Sequence, residues 1–231
     1  MFPIGDERVQ GGPPAMVTFG LIALNVLAFF VELAQPSEGA LQSFIQAWGV
    51  VPREYSVARD LPPTIPLPFW STLLTSMFLH GGWMHLGGNM LYLWIFGDNV
   101  EDRMGHVGFL IFYVISGIAA VMTHILLDPN SSVPLVGASG AIAGVLGAYL
   151  VLFPRARILS LIPFGFFSRF VHVPAIYFLP IWFVLQLISG LGSMVAGQAE
   201  GIAWWAHVGG FVAGMVLAFV FARRPRAAGW Q

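Results

Sequence analysis

The stretch Ser139-Gly-Ala-Ile-Ala-Gly-Val-Leu-Gly-Ala-Tyr-Leu-Val-Leu-Phe153 carries no charge and opens on a hydroxyl. It is short for a membrane span, because about 30 Å of hydrocarbon takes roughly 20 apolar residues. Its surroundings decide how it is read. Five more apolar segments flank it: Met16 to Leu33, Met84 to Gly97, Val107 to Leu127, Pro174 to Val195 and Trp204 to Phe221. Of the 231 residues 57% are hydrophobic and 9% are charged, against about 25% charged in a soluble domain. That excludes an ordinary soluble globule, and it excludes disorder. A formal net charge of −1 excludes the basic footprint that nucleic-acid binding needs. Without cysteine there is no disulfide framework, no thiol nucleophile and no cysteine-based zinc site. The expected fold is an all-α polytopic membrane protein of six spans.

Every basic residue is an arginine, and the arginines set an orientation. With a cytoplasmic N-terminus, the inner segments hold Arg8, Arg103, Arg155, Arg157, Arg169, Arg223, Arg224 and Arg226, and the outer segments only Arg53 and Arg59. The excess of arginine on one side places both termini in the cytoplasm. Spans two, four and six then run from outside to inside. Residues 1–15 and 223–231 read as tails, and 16–222 as one membrane domain. The leader before Met16 does not read as a cleaved signal peptide. The outer stretch from Gln35 to Thr75 mixes prolines with Trp48, Tyr55, Phe69 and Trp70. That composition suits the membrane interface.

Polar side chains inside a membrane are costly and mark function. Here they are His80, His85, Asn89, Ser139 and His207, each near the outer end of an outside-to-inside span. Ser139 precedes Arg155 by 16 residues, and His207 precedes Arg223 by 16. At about 1.5 Å per residue both lie about 24 Å above a cytoplasmic anchor. Asn89 and His85, counted from Arg103, fall at about 21 and 27 Å. Four polar groups from three spans thus share one layer.

Gly140 and Gly144 form a G-x-x-x-G, as do Gly210 and Gly214, the spacing that lets membrane helices approach closely. Ala143 and Gly147 continue the face of Ser139, so spans four and six can pack with Ser139 facing His207. A serine beside a histidine is the smallest unit of nucleophilic catalysis. Val136-Gly-Ala-Ser139-Gly140 puts the serine where a helix begins, where unpaired N–H groups favour an oxyanion. Asn89 and His85 could add donors. Taken singly, a serine is more often a helix cap and a membrane histidine more often an interfacial anchor. Matched depth, small faces and placement at a helix start together lift Ser139 and His207 above those readings. Span two has no H-E-x-x-H and no carboxylate beside its histidines, so no metal is expected.

With these residues in hand, the chain resembles the rhomboid family of intramembrane serine proteases from about Met16 to Phe221. His80-Gly-Gly-Trp-Met-His85-Leu-Gly-Gly-Asn89 resembles the family's H-x4-H-x3-N segment, and Glu101-Asp-Arg103-Met-Gly105 its E-x-R-x-G turn. Gly137-Ala-Ser139-Gly140 resembles its nucleophile box, and Ala206-His207-Val-Gly-Gly210 with Gly214 its last helix. The resemblance implies a six-helix bundle with a long first outer loop and a Ser–His dyad without cofactor. Ser139 would be nucleophile and His207 base. Asn89, His85 and the Ser139 N–H would form the oxyanion hole, and His80 would line the water cavity. Glu101, Arg103 and Gly105 would hold a structural turn. The implied partners are the lipid bilayer and single-span membrane proteins cut in their transmembrane segments, and the implied location is a bacterial inner membrane. Span five, with Phe178, Trp182 and Phe183, and the loop around Trp70 are candidates for controlling substrate access.

Two positions depart from the family pattern. Ser71 follows Trp70 where an arginine is frequent, and Ala143 stands where an aromatic often lies under the histidine. Two other readings remain: a catalytically silent relative that binds membrane helices, and a transporter built on buried His and Asn. Nothing in the sequence specifies an oligomer.

Overall fold

A computed structural model describes residues 2–6, 14–164, 167–196 and 203–223. Each apolar segment forms a helix: α1 (Met16–Leu33), α5 (Trp83–Met104), α6 (His106–Leu127), α7 (Ser139–Leu152), α8 (Ala175–Ala196) and α9 (Trp204–Phe221). By length and composition α1, α6 and α9 can each cross a membrane, and α7 and the Ala175–Ser189 part of α8 are shorter apolar helices. The apolar helices pack together as a helical bundle, three of them long and apolar enough to cross a membrane. Arg8, Arg224 and Arg226, used for the orientation, lie outside the described residues.

The centre of the bundle is α7, in which every residue from Gly140 to Tyr149 is buried. Glycine makes this possible. A Cβ on Gly210 would overlap the Gly140 carbonyl oxygen, one on Gly214 that of Gly144, and one on Gly147 that of Phe211. The two helices therefore run parallel in backbone contact, with no room for side chains between them.

α5 reaches Met104, well past the expected end at Gly97, because its last turns have buried work. α1 begins without a side-chain cap of its own. Glu101 supplies one, accepting from the Val17 N–H at 2.9 Å, the Thr18 N–H at 2.7 Å and the Thr18 hydroxyl at 2.7 Å. A carboxylate at a helix N-terminus satisfies orphan donors and the helix dipole together. His106 Nδ1 meets the same carboxylate at 2.5 Å. Gly105, at φ +74°, turns the chain into α6. Arg103 does not pair with Glu101. It donates to the Arg223 carbonyl at 3.3 Å, and the Arg223 N–H returns to the Arg103 carbonyl at 2.8 Å.

The bundle also carries an antiparallel sheet that the sequence reading did not anticipate, in the order β1 (Phe2–Asp6), β2 (Arg157–Phe164), β3 (Phe167–Pro174). β2 and β3 are rich in β-branched and aromatic residues, which favour strands. β1 falls where a tail was expected. Asp6 anchors it, accepting from Asn99 Nδ2 at 2.7 Å and from the Tyr149 hydroxyl at 2.6 Å. The sheet therefore sits at the C-terminal ends of α5 and α7.

The long first loop lies at the opposite end and forms α2 (Glu38–Trp48), α3 (Pro52–Ser56) and α4 (Thr72–Thr75). Tyr55 and Thr72 share a 2.7 Å hydroxyl contact, and the Thr75 hydroxyl donates to the Trp48 carbonyl at 2.7 Å. Glu54 accepts the Leu61 N–H at 3.1 Å, and burial holds its carboxyl above the usual range. The loop is thus anchored without an arginine after Trp70. It also grips the segment that leads into α7. Val50 and Leu135 exchange two backbone hydrogen bonds, and the Gly137 N–H donates to the Ser76 carbonyl at 2.8 Å.

Candidate active site

Ser139 is the first residue of α7, and His207 lies in the first turn of α9. The parallel glycine seam carries them to the same level. His207 Nε2 lies 2.8 Å from Ser139 Oγ. Its other ring nitrogen, Nδ1, lies 2.8 Å from Oε1 of Gln186 on α8. A carbonyl oxygen can only accept, so with the Gln186 amide in this orientation Nδ1 would carry the proton and Nε2 would present a lone pair to the serine. Two indoles flank the ring: Trp182 at 6.1 Å between centroids, and Trp204 at 6.2 Å, edge-on at 88°. They stand in for the aromatic missing at Ala143.

His85 and Asn89 occupy successive turns near the start of α5. His85 has the opposite arrangement to His207. Its Nδ1 accepts the Gly81 N–H at 3.3 Å, so in the neutral ring Nε2 carries the proton. That nitrogen faces Gly137, where an added Cβ would fall 2.8 Å from His85 Nε2 and 3.5 Å from Asn89 Nδ2. Gly137 has φ +124°, a backbone that side chains rarely adopt. Asn89 Nδ2 is buried with no hydrogen-bond partner among the described residues. Beside it starts α7, with no side-chain cap, so the N–H groups of its first turn lack intrahelical partners.

Ser139, His207, His85, Asn89, Gln186 and Trp182 line one cavity of about 1220 Å³. His80 does not line it, contrary to expectation. It is 1% exposed and sits behind His85, ring edge to ring at 5.2 Å, with its backbone N–H donated to Glu32 of α1 at 2.9 Å. Among the described residues no group of three His, Cys, Asp or Glu is placed to hold a metal.

Three members of this arrangement were not singled out from the sequence as site residues. Gln186 and Glu32 are polar residues inside apolar spans, a signal that could have found both. His124 lies at a span end, where a histidine by itself suggests an interfacial anchor, but it lines the cavity from the end of α6. Chemically, the cavity holds a hydroxyl facing an imidazole lone pair, with unpaired or free-facing donors beside it. Such a set can deprotonate an alcohol and stabilise an oxyanion.

Comparison with known proteins identifies the family. The family model described as Rhomboid domain matches residues 68–224. The chain is 28% identical over 167 residues to "Rhomboid-like protein 11, chloroplastic" of Arabidopsis thaliana, covering 69% of this chain and 55% of that protein. It is 32% identical over 164 residues to "Rhomboid-like protease 5" of Toxoplasma gondii, covering 67% and 16%. It is 36% identical over 141 residues to "Rhomboid protease GluP" of Bacillus subtilis, covering 61% and 25%. The matched region spans 55% or less of the length of these relatives.

Proposed function

The chain belongs to the rhomboid family, and from that premise we propose that it is an intramembrane serine endopeptidase. Its substrates are single-span membrane proteins, cut within or just outside their transmembrane helix. The observation that carries this reading is the 2.8 Å contact from Ser139 Oγ to His207 Nε2, made inside a cavity that also holds the unpaired Asn89 amide.

Ser139 Oγ attacks the scissile carbonyl as its proton passes to His207 Nε2. The negative charge that develops on the carbonyl oxygen is met by Asn89 Nδ2, His85 Nε2–H and the Ser139 N–H at the helix start. Collapse of this intermediate expels the amine, which takes the proton from His207, and leaves an acyl group on Ser139. A water then enters from the outer face and attacks the acyl carbon as His207 takes its proton, and that proton passes to Ser139 Oγ as the acid leaves. Substrate helices that unwind readily suit such a site, because their backbone hydrogen bonds must open before a carbonyl can be attacked. The protein resides in a bacterial inner membrane with both termini cytoplasmic, and the cavity faces outward.

The test is cleavage of a labelled transmembrane substrate by purified protein in detergent, with Ser139→Ala alongside. Wild type cleaves, and the variant loses about 10⁴-fold or more. Equal rates for both would remove Ser139 as nucleophile. No cleavage together with no fluorophosphonate labelling of Ser139 would favour a silent helix-binding relative.

A further inference from the structure

Gln186 interrupts an apolar run from Leu179 to Ile188 on α8. A carboxamide in that setting is expensive without a partner, and the partner it has is the histidine of the site. The same face of α8 is seated on α9 nearby. Phe183 stacks on Phe211 at 4.8 Å, Trp182 lies 6.0 Å from Phe211, and Trp182 also flanks the His207 ring.

We propose that Gln186 is the positioning residue of the site: its side-chain carbonyl, delivered from α8, holds the Nδ1–H of His207 and so keeps Nε2 free to take the Ser139 proton. The inference rests on the protease reading. A serine hydroxyl both donates and accepts, so Ser139 alone does not choose between the two tautomers of His207. A carboxamide does choose. With its oxygen toward the ring, Nδ1 is protonated and Nε2 is a base. With its nitrogen toward the ring, Nε2 carries the proton and the site cannot act. When His207 takes the serine proton, both ring nitrogens carry hydrogen, and only the carbonyl end stays bonded. That bond then becomes charge-assisted and stronger, so it stabilises the transition state more than the ground state. No proton passes to Gln186. The Nδ1–H stays on the ring throughout. The other titratable groups around the cavity are His85, Tyr92, His124 and Asp128, and the hydrogen bond of His207 Nδ1 goes to Gln186 rather than to any of them. Because α8 supplies the acceptor, the base is correctly poised only while α8 packs on α9.

The test uses the full-length protein as wild type, Gln186→Leu and Gln186→Glu. Leucine keeps the bulk and removes the acceptor. We expect kcat to fall about 10- to 100-fold, the size of one hydrogen bond to a charged group, with KM and thermal stability held. The carboxylate variant recovers most of that kcat. It moves the acid limb of kcat/KM upward by about one pH unit or more, because an anion favours the imidazolium. An independent readout is the pair of ¹⁵N shifts that disappears in His207→Ala. It reports an Nδ1–H tautomer in wild type and a changed tautomer in Gln186→Leu. An unchanged tautomer, a leucine variant within twofold of wild-type kcat, or a loss confined to KM would overturn the role of Gln186. If wild type cleaves no faster than Ser139→Ala, the protease reading falls, and the ¹⁵N shifts alone decide whether Gln186 sets the tautomer.

Discussion

The first turns of α5 and α9 each present a histidine to one cavity, and the two rings are held in opposite senses. His85 receives a backbone N–H on Nδ1, from Gly81. His207 Nδ1 instead faces a side-chain carbonyl, that of Gln186, as a hydrogen-bond donor that keeps its proton. The inward-facing nitrogen is therefore a donor on α5 and an acceptor on α9. One residue type performs two tasks because a single neighbouring atom differs. The lesson is that a histidine's chemistry is read from the group behind it.

Glutamine substitutions break this comparison most sharply, since an amide can donate but cannot act as a base. His207→Gln should lose cleavage by about 10⁴-fold or more, as His207→Ala should. His85→Ala should lose about 10²- to 10³-fold in kcat, as for one oxyanion donor, and His85→Gln should recover part of that. Single-turnover rates on one substrate check both. If His85→Gln were as dead as His207→Gln, the two rings would not differ in role.

A smaller effect comes from the wall that His85 faces. Gly137→Ala places a methyl against the His85 ring and puts a side chain on a backbone at φ +124°, a strain of about 1–3 kcal/mol. Cleavage should fall by at least about tenfold as His85 is displaced, and thermal unfolding should shift down. Wild-type kcat in this variant would mean that the donor does not depend on its seat. The smallest effect should come from the far end. Glu101→Gln weakens the cap on α1 and should cost about 1 kcal/mol of stability. The kcat per folded molecule should stay put, because neither histidine is touched. Thermal unfolding alongside active-site titration separates these two quantities.

The bundle was legible in the sequence because its spans end at hard signals. α1, α6 and α9 begin and end within a residue of the apolar runs that define them. Ser139 and His207 were legible because their helices run parallel from equivalent anchors, so counting residues measures depth. The sheet was not legible. β2 and β3 read as a connector, and the partner that makes β2 central is β1, far away in the chain. Gln186 stood in plain view, yet a helix that is apolar all round gives no sign of which face looks inward. The motif points His80 at the cavity, but the buried Glu32 draws its backbone toward α1.

The order in which the chain emerges gives the sheet a further meaning. Phe2 pairs with Leu161, 159 residues later, and α1 receives its cap from Glu101, more than 80 residues after it. Contacts of such separation form only once both partners exist. During synthesis α1 must therefore wait for the end of α5 before its first turn is complete, and β1 must wait until α7 has passed and β2 has been made. The strand closes across Asn99 and Tyr149 as a clasp, able to fasten the far end of the bundle once α5, α7 and β2 have been made, before α8 and α9 bring Gln186 and His207.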